Sequence, residues 1–237
     1  NDHWRFNLGS GSAAVDYNDS TWSDVDLPHD YSIEQEYSRN MEAESGYLPG
    51  GTGWYRKTFT LSSEWEGKTI SIDFGGVYMN ATVYLNGTEL GFHPYGYTAF
   101  SFVLPNELLN FDGENVIAVE VEHEVPSSRW YSGSGIYRSV HLTVTDPVHV
   151  ARYGTYVTTP DLEASDGADG TAHIETTVQN DTAADVDVSL RQSIYEKGGE
   201  EPVATAESQG TTAVTAGGQA EVVMELDVTD PKLWSTD

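Results

Sequence analysis

The sequence predicts an all-β chain folded as two antiparallel sandwiches. Apolar and polar residues alternate with period two from Thr52 onward, helical stripes of period 3.6 are nearly absent, and Gly, Pro and Asn punctuate the alternating runs. At 237 residues the chain has length enough for two β domains, each with its own core.

The elements follow in order. The first fifty residues read as irregular, because "LPHDY" and "GYLPGGTGW" place Pro and Gly where regular structure stops. In "TISIDF" Ile70, Ile72 and Phe74 share one face, and in "ATVYL" Ala81, Val83 and Leu85 do the same. Asn86-Gly87 then predicts a two-residue hairpin, since both central positions of that turn need positive φ. Further strands are expected in "FSFVL", in "VIAVEV" and in "IYRSVHLTV", where Ile136, Val140, Leu142 and Val144 are read on one face.

Near Thr145 aromatic residues thin out, while Ala, Thr, Gly and acids rise. Pro147 cannot donate to a ladder, which places a boundary between residues 1–146 and 147–237. The second part carries "AHIETTV", "DVDVSLRQSIY" and "AEVVMELDV" as strands and resembles an immunoglobulin-like sandwich. Five or six strands are legible before Asp237, short of the roughly seven such a sandwich needs. The sequence is therefore expected to stop inside its second domain, leaving an unpaired edge.

Composition narrows the function. A formal charge of −27, from 38 acids against 11 bases, repels phosphate backbones and anionic lipid, so nucleic acid and membrane surfaces are poor partners. Neutral ligands remain. The absence of cysteine excludes disulfides and thiolate metal sites, and the seven histidines show no zinc-ligand spacing; no cofactor is expected. "DGADG", with Asp166 and Asp169, lacks the alternating carboxylates of a calcium loop and reads as a turn. Glu120, Glu122 and Glu124 alternate in "VEVEHEV" and are expected on one strand face, either as a solvated outer face or as the carboxylate pair of a sandwich glycosidase.

The densest chemistry lies in "SSRWYSGSGIYRSV", Ser127 to Val140, echoed by "LPHDYSIEQEY". Tryptophan and tyrosine offer flat apolar faces with polar rims, suited to a sugar, and arginine supplies a fork of donors for hydroxyl oxygens. Equally, Trp130, Tyr131 and Tyr137 could close the end of the sandwich, with Arg129 and Arg138 paired to surplus acids.

Four ordered stretches, Asp16 to Glu34, Gly46 to Leu61, Phe74 to Leu104 and Ser128 to Leu142, resemble the non-catalytic N-terminal region of family 2 glycoside hydrolases, nearest the bacterial β-galactosidases. That resemblance implies a galactose-binding-domain-like jelly roll, then an immunoglobulin-like domain, then a TIM barrel with two catalytic glutamates that lies outside these residues. It implies a terminal β-galactoside as substrate and the barrel as partner, with no catalytic residue in this chain. Its substrate-binding residues would be Arg129, Trp130, Tyr131, His29 and Asp30, on a rigid strand end reaching into the barrel's pocket. Many relatives carry an aspartate five residues before Ser134, where Arg129 stands here, and Tyr31 replaces the more usual tryptophan after Pro28-His29-Asp30. A guanidinium accepts no hydrogen bond, so Arg129 would donate to a galactose hydroxyl instead. Two other readings stay open: a free-standing carbohydrate-binding module, and a self-sufficient sandwich glycosidase.

Overall fold

Strand alternation alone would leave one face of each sheet wet, but in the first half of this chain part of the outer face of the larger sheet is covered as well. The structure is a computed structural model describing residues 1–163, 167 and 169–234. The chain divides into two compact units, Asn1–Val144 and Thr145–Asp237.

In the first unit, β1 (Trp4–Leu8), β2 (Ser23–Val25), β3 (Gly51–Thr60), β5 (Ala81–Leu85), β6 (Thr88–His93) and β8 (Glu114–His123) form a six-stranded sheet, ordered β2-β1-β3-β8-β5-β6. Facing it is a three-stranded sheet ordered β7-β4-β9, from β4 (Thr69–Phe74), β7 (Phe100–Val103) and β9 (Val140–Thr145). Between the layers lie Phe6, Tyr55, Ile70, Phe74, Val83 and Val119 with their neighbours, the alternate residues that the sequence pattern turns inward. The predicted hairpin joins β5 to β6, with Asn86 at φ 47° and Gly87 at φ 84°.

Three expectations change here. The first fifty residues hold two strands, β1 and β2, too short for their alternation to stand out. Ile136 is fully buried, yet it precedes β9 in irregular chain, and Leu142 is exposed, so these residues do not share one strand face. The third change concerns the outer face of the six-stranded sheet. Residues 9–22 cross it as a strap, packing Trp22, Ala13 and Tyr17 onto Trp54, Ala118 and Tyr84.

Arg56 fastens that strap. Its guanidinium is buried and donates from Nε to Asp19 Oδ2 at 2.8 Å, from Nη1 to Ser12 O at 2.8 Å and from Nη2 to Val15 O at 3.4 Å. The planar fork reaches the three acceptors from three separate nitrogens, whereas an ammonium donates from a single atom and cannot span them in the same fixed geometry. Arg56→Lys is expected to cost about 1–2 kcal/mol, through donors lost to buried carbonyls; urea unfolding with an unchanged midpoint would contradict this.

The second unit contains β10 (Val148–Thr158), β11 (Asp169–Asn180), β12 (Val186–Val188), β13 (Arg191–Tyr195), β14 (Pro202–Glu207), β15 (Thr212–Val214) and β16 (Gln219–Thr229). These seven strands, among the described residues, exceed the five or six expected. The pairings are β10-β11-β16, β12-β15 and β13-β14. The run read as one strand across "DVDVSLRQSIY" is two, because the chain changes partners at Ser189-Leu190: β12 pairs with β15 and β13 with β14. Ile174, Val222, Met224 and Leu226 form the core, with Leu190 and Ile194 against them. An open apolar cavity of about 1040 Å³ borders that core, lined by Leu162, Ile174, Leu190, Ile194, Val228 and Trp234 among others. Of the "DGADG" stretch, Asp166 lies outside the described residues.

Candidate functional site

Residues 124–139 join β8 to β9 as a loop, not as the strand end expected, because their backbone groups are drawn to other partners. The segment His29–Ser32 runs beside it: His29 N donates to Ile136 O at 2.9 Å, and Tyr31 N to Ser134 O at 3.0 Å. Across the other side, Tyr78 and Gly135 exchange backbone hydrogen bonds of 2.9 and 2.8 Å. Ser134 and Ile136 are thereby fixed beneath the loop, both fully buried.

Asp30 is the loop's main anchor. Its Oδ1 accepts from the backbone N–H of Ser32 at 3.0 Å and of Ser134 at 2.9 Å, and its Oδ2 accepts from the Tyr131 hydroxyl. Charge-assisted bonds of this kind are the stronger class. Burial, followed by that hydrogen bond and the charge of Asp30, pushes the Tyr131 phenol far above its ordinary range. The phenol therefore stays protonated and keeps donating. Gly133 (φ 76°) passes so close that an added Cβ would sit 2.9 Å from Asp30 Oδ2.

His29 lies deeper. Nδ1 is 2.7 Å from the Tyr55 hydroxyl and Nε2 is 3.2 Å from Glu34 Oε1, with the ring edge-on to Phe6. Both ring nitrogens are thus occupied and the side chain is buried. Tyr31, also buried, donates to Gly51 O at 2.7 Å. Of the five residues singled out in the sequence, Asp30 and Tyr131 meet directly, His29 supports the floor, and Arg129 and Trp130 project from the loop. Trp130 is 73% exposed, and Arg129 is exposed as well.

Sequence reasoning missed the surroundings. Tyr97 stands within hydrogen-bonding reach of Ser128 and edge-on to Tyr78, while Tyr37 lies near the Tyr131 phenol. Tyr37, Tyr95 and Tyr97 are exposed, so the loop sits in a rim of aromatic rings. Also missed was His123, whose ring touches Ser127 and Ser134 at the two ends of the loop. The only local trace of this was a serine held between two glycines, Gly133-Ser134-Gly135.

The carboxylate stripe is shorter than expected, because β8 ends at His123 and Glu124 follows the strand. Glu120 and Glu122 do lie on the outer sheet face, opposite Trp54 and Thr52. Burial and then the neighbouring charge of Glu122 raise the Glu120 pKa. Among the described residues one group of ligand-type side chains gathers, His3, Asp24 and Asp26 on exposed chain at the β1–β2 edge. The Arg5 guanidinium, 3.7 Å from Asp24 Oδ2, already meets part of that charge.

Comparison with known proteins shows which family the chain resembles along its whole length. The family profile described as glycosyl hydrolases family 2, sugar binding domain, matches residues 1–147, and that described as glycosyl hydrolases family 2 matches residues 148–237. The chain belongs to glycoside hydrolase family 2. Within the family, it is 41% identical over 242 residues to the β-galactosidase BoGH2A of Bacteroides ovatus, covering 100% of this chain and 28% of that protein. A putative β-glucuronidase of Formosa agariphila is 33% identical over 245 residues, again across 100% of this chain but 22% of its own length. Among solved structures, a family 2 member from Bacteroides cellulosilyticus superposes with a TM-score of 0.87 at 35% identity, over 99% of this chain and 31% of that one. A β-glucuronidase of Bacteroides uniformis gives 0.80 at 30% identity, over 99% and 28%. This family 2 chain thus spans about a quarter of the length of the curated relatives it matches.

Proposed function

We propose that the chain is the sugar-binding and immunoglobulin-like portion of a retaining β-galactosidase-like hydrolase. In this reading loop 127–133 completes the pocket of a TIM-barrel domain that hydrolyses terminal β-galactosides, and the second sandwich acts as spacer and buttress. The chain itself supplies no catalytic glutamate and is inactive alone. One observation carries the reading: Asp30 and the buried floor hold the loop from below, while Arg129 and Trp130 are left exposed above it. A side chain that only closed the sandwich would be covered. Trp130 offers a stacking face and Arg129 a donor fork, the pair a neutral sugar needs. The β-galactosidase among its relatives favours galactose.

Arg129→Ala in the full-length enzyme is expected to lower kcat/KM at least tenfold, about 1.4 kcal/mol of transition-state stabilisation. The fold should be untouched, because the side chain is exposed. Unchanged kinetics would reject the role. Hydrolysis of a chromogenic galactoside by the 237-residue chain alone would instead favour a self-sufficient glycosidase.

A further inference from the structure

His123 is buried at the end of β8, between the two ends of the loop that carries Arg129 and Trp130. Nδ1 lies 2.5 Å from Ser134 Oγ and Nε2 lies 2.8 Å from Ser127 Oγ. Each serine leads further. Ser134 Oγ contacts Ser32 Oγ, Ser32 Oγ reaches Pro49 O at 2.9 Å, and on the other side Ser127 Oγ is 3.0 Å from the Tyr78 hydroxyl.

Counting hydrogens orients this chain. Pro49 O only accepts, and it takes both Ser32 Oγ at 2.9 Å and Gln35 Nε2 at 3.1 Å on its two lone pairs, so the Ser32 bond to it uses that hydroxyl's single hydrogen. The contact between Ser32 and Ser134 then requires the Ser134 hydroxyl to donate. With its own hydrogen spent, Ser134 must accept from His123, which places the ring proton on Nδ1. Nε2 is therefore bare and accepts from Ser127, whose oxygen accepts in turn from Tyr78. We propose that His123, held as the Nδ1–H tautomer, is the positioning residue of the loop, tying Ser127 and Ser134 to one ring.

This assignment demands a neutral imidazole, since a second ring proton would turn Nε2 into a donor and force the Ser127 hydroxyl to reverse. The titratable groups facing the ring among the described residues are Asp30, Tyr31 beside Ser134, and Tyr78 packed edge-on at 5.0 Å, while β3 places Gly51 opposite it. Burial holds the His123 pKa below its ordinary value, against a smaller opposite pull from Asp30. The folded state thus favours the unprotonated ring. Above the ordinary value, about 6.5, the tie is complete; as pH falls below it, an opened loop gains a proton that the closed one resists, so acidification weakens the tie.

The test uses the 237-residue chain without substrate. Nitrogen-15 NMR of the histidine rings should show His123 with a protonated Nδ1 and a bare Nε2, still neutral at pH 6.5. His123→Phe should speed amide exchange across 127–135 at least tenfold. His123→Asn, which keeps a donor near Ser134 but cannot reach Ser127, should speed it only at the Ser127 end. An Nε2–H tautomer, or exchange in the Phe variant equal to that of the unaltered chain, would overturn the proposal. Should the Phe variant not fold, the tautomer of the unaltered chain decides. Any bearing of His123 on turnover rests on the proposed sugar reading, but these measurements do not, so the two can fail separately.

Discussion

Gly135→Ala is expected to unfold the first sandwich more readily than any other single change considered, by about 4 kcal/mol. Two causes add. The residue sits at φ 113°, outside the regions open to side chains, a strain of about 1–3 kcal/mol. A Cβ there would also lie 2.2 Å from the Tyr55 hydroxyl, 3.1 Å from His29 O and 3.2 Å from Tyr31 Cδ1, and forced overpacking costs about 1–3 kcal/mol more. Tyr55 cannot step aside cheaply, because it is fully buried and its hydroxyl is bound to His29 Nδ1 at 2.7 Å. In calorimetry the first unit's transition should fall by roughly 8–16 °C, at about 2–4 °C per kcal/mol for a unit of this size. A shift under a few degrees would show that the loop floor is softer than its contacts indicate.

Asp30→Ala should be nearly as damaging, at about 3 kcal/mol, but for electrostatic reasons. It strips the acceptor from two backbone N–H groups and the Tyr131 hydroxyl together, and donors left unsatisfied away from water cost about 1–3 kcal/mol each before relaxation. Asp30→Asn provides the contrast. Both backbone donors converge on Oδ1, so an amide oxygen in that place can serve them, while the amide nitrogen can donate to Tyr131 in place of the lost carboxylate. The Asn variant should lose under about 1 kcal/mol, within the range of one ordinary hydrogen bond. Its Tyr131 phenol should also titrate at lower pH than in the parent chain, because the hydrogen bond and charge of Asp30 are gone and only burial and the neighbouring Tyr37 still raise it. Equal losses for Ala and Asn would mean that the carboxylate's charge, not its geometry, fastens the loop. Tyrosine titration followed by ultraviolet absorbance reads the second effect independently.

Much of the first sandwich was legible in the chain. Alternation over Ile70–Phe74 and Ala81–Leu85 marked strands, and Asn86-Gly87 marked the hairpin between β5 and β6. These signals are local, with a residue's face set by its parity along the strand. Leu190 shows where locality runs out. Its run kept parity from Val186 to Ile194, yet the partners change from β15 to β14 within it, and parity carries no information about which strand lies alongside.

The candidate site was half legible. Arg129, Trp130 and Tyr131 were conspicuous as large planar groups beside glycines, but what holds them was hidden. Asp30 meets Ser134 across 104 residues, and Tyr78 meets Ser127 across 49. Such pairs leave no period in the sequence, because each is made by the approach of two chain segments that packing brings together. The sequence by itself determined the strand class, the turn chemistry, the change of texture near Thr145 and the residue types on the loop. Only the tertiary structure decided that His29 and Tyr31 face inward, that residues 9–22 cover part of a sheet face, and that Arg129 and Trp130 stand exposed. The physical reason is that burial and hydrogen-bond partnership belong to pairs of segments, whereas composition and alternation belong to one.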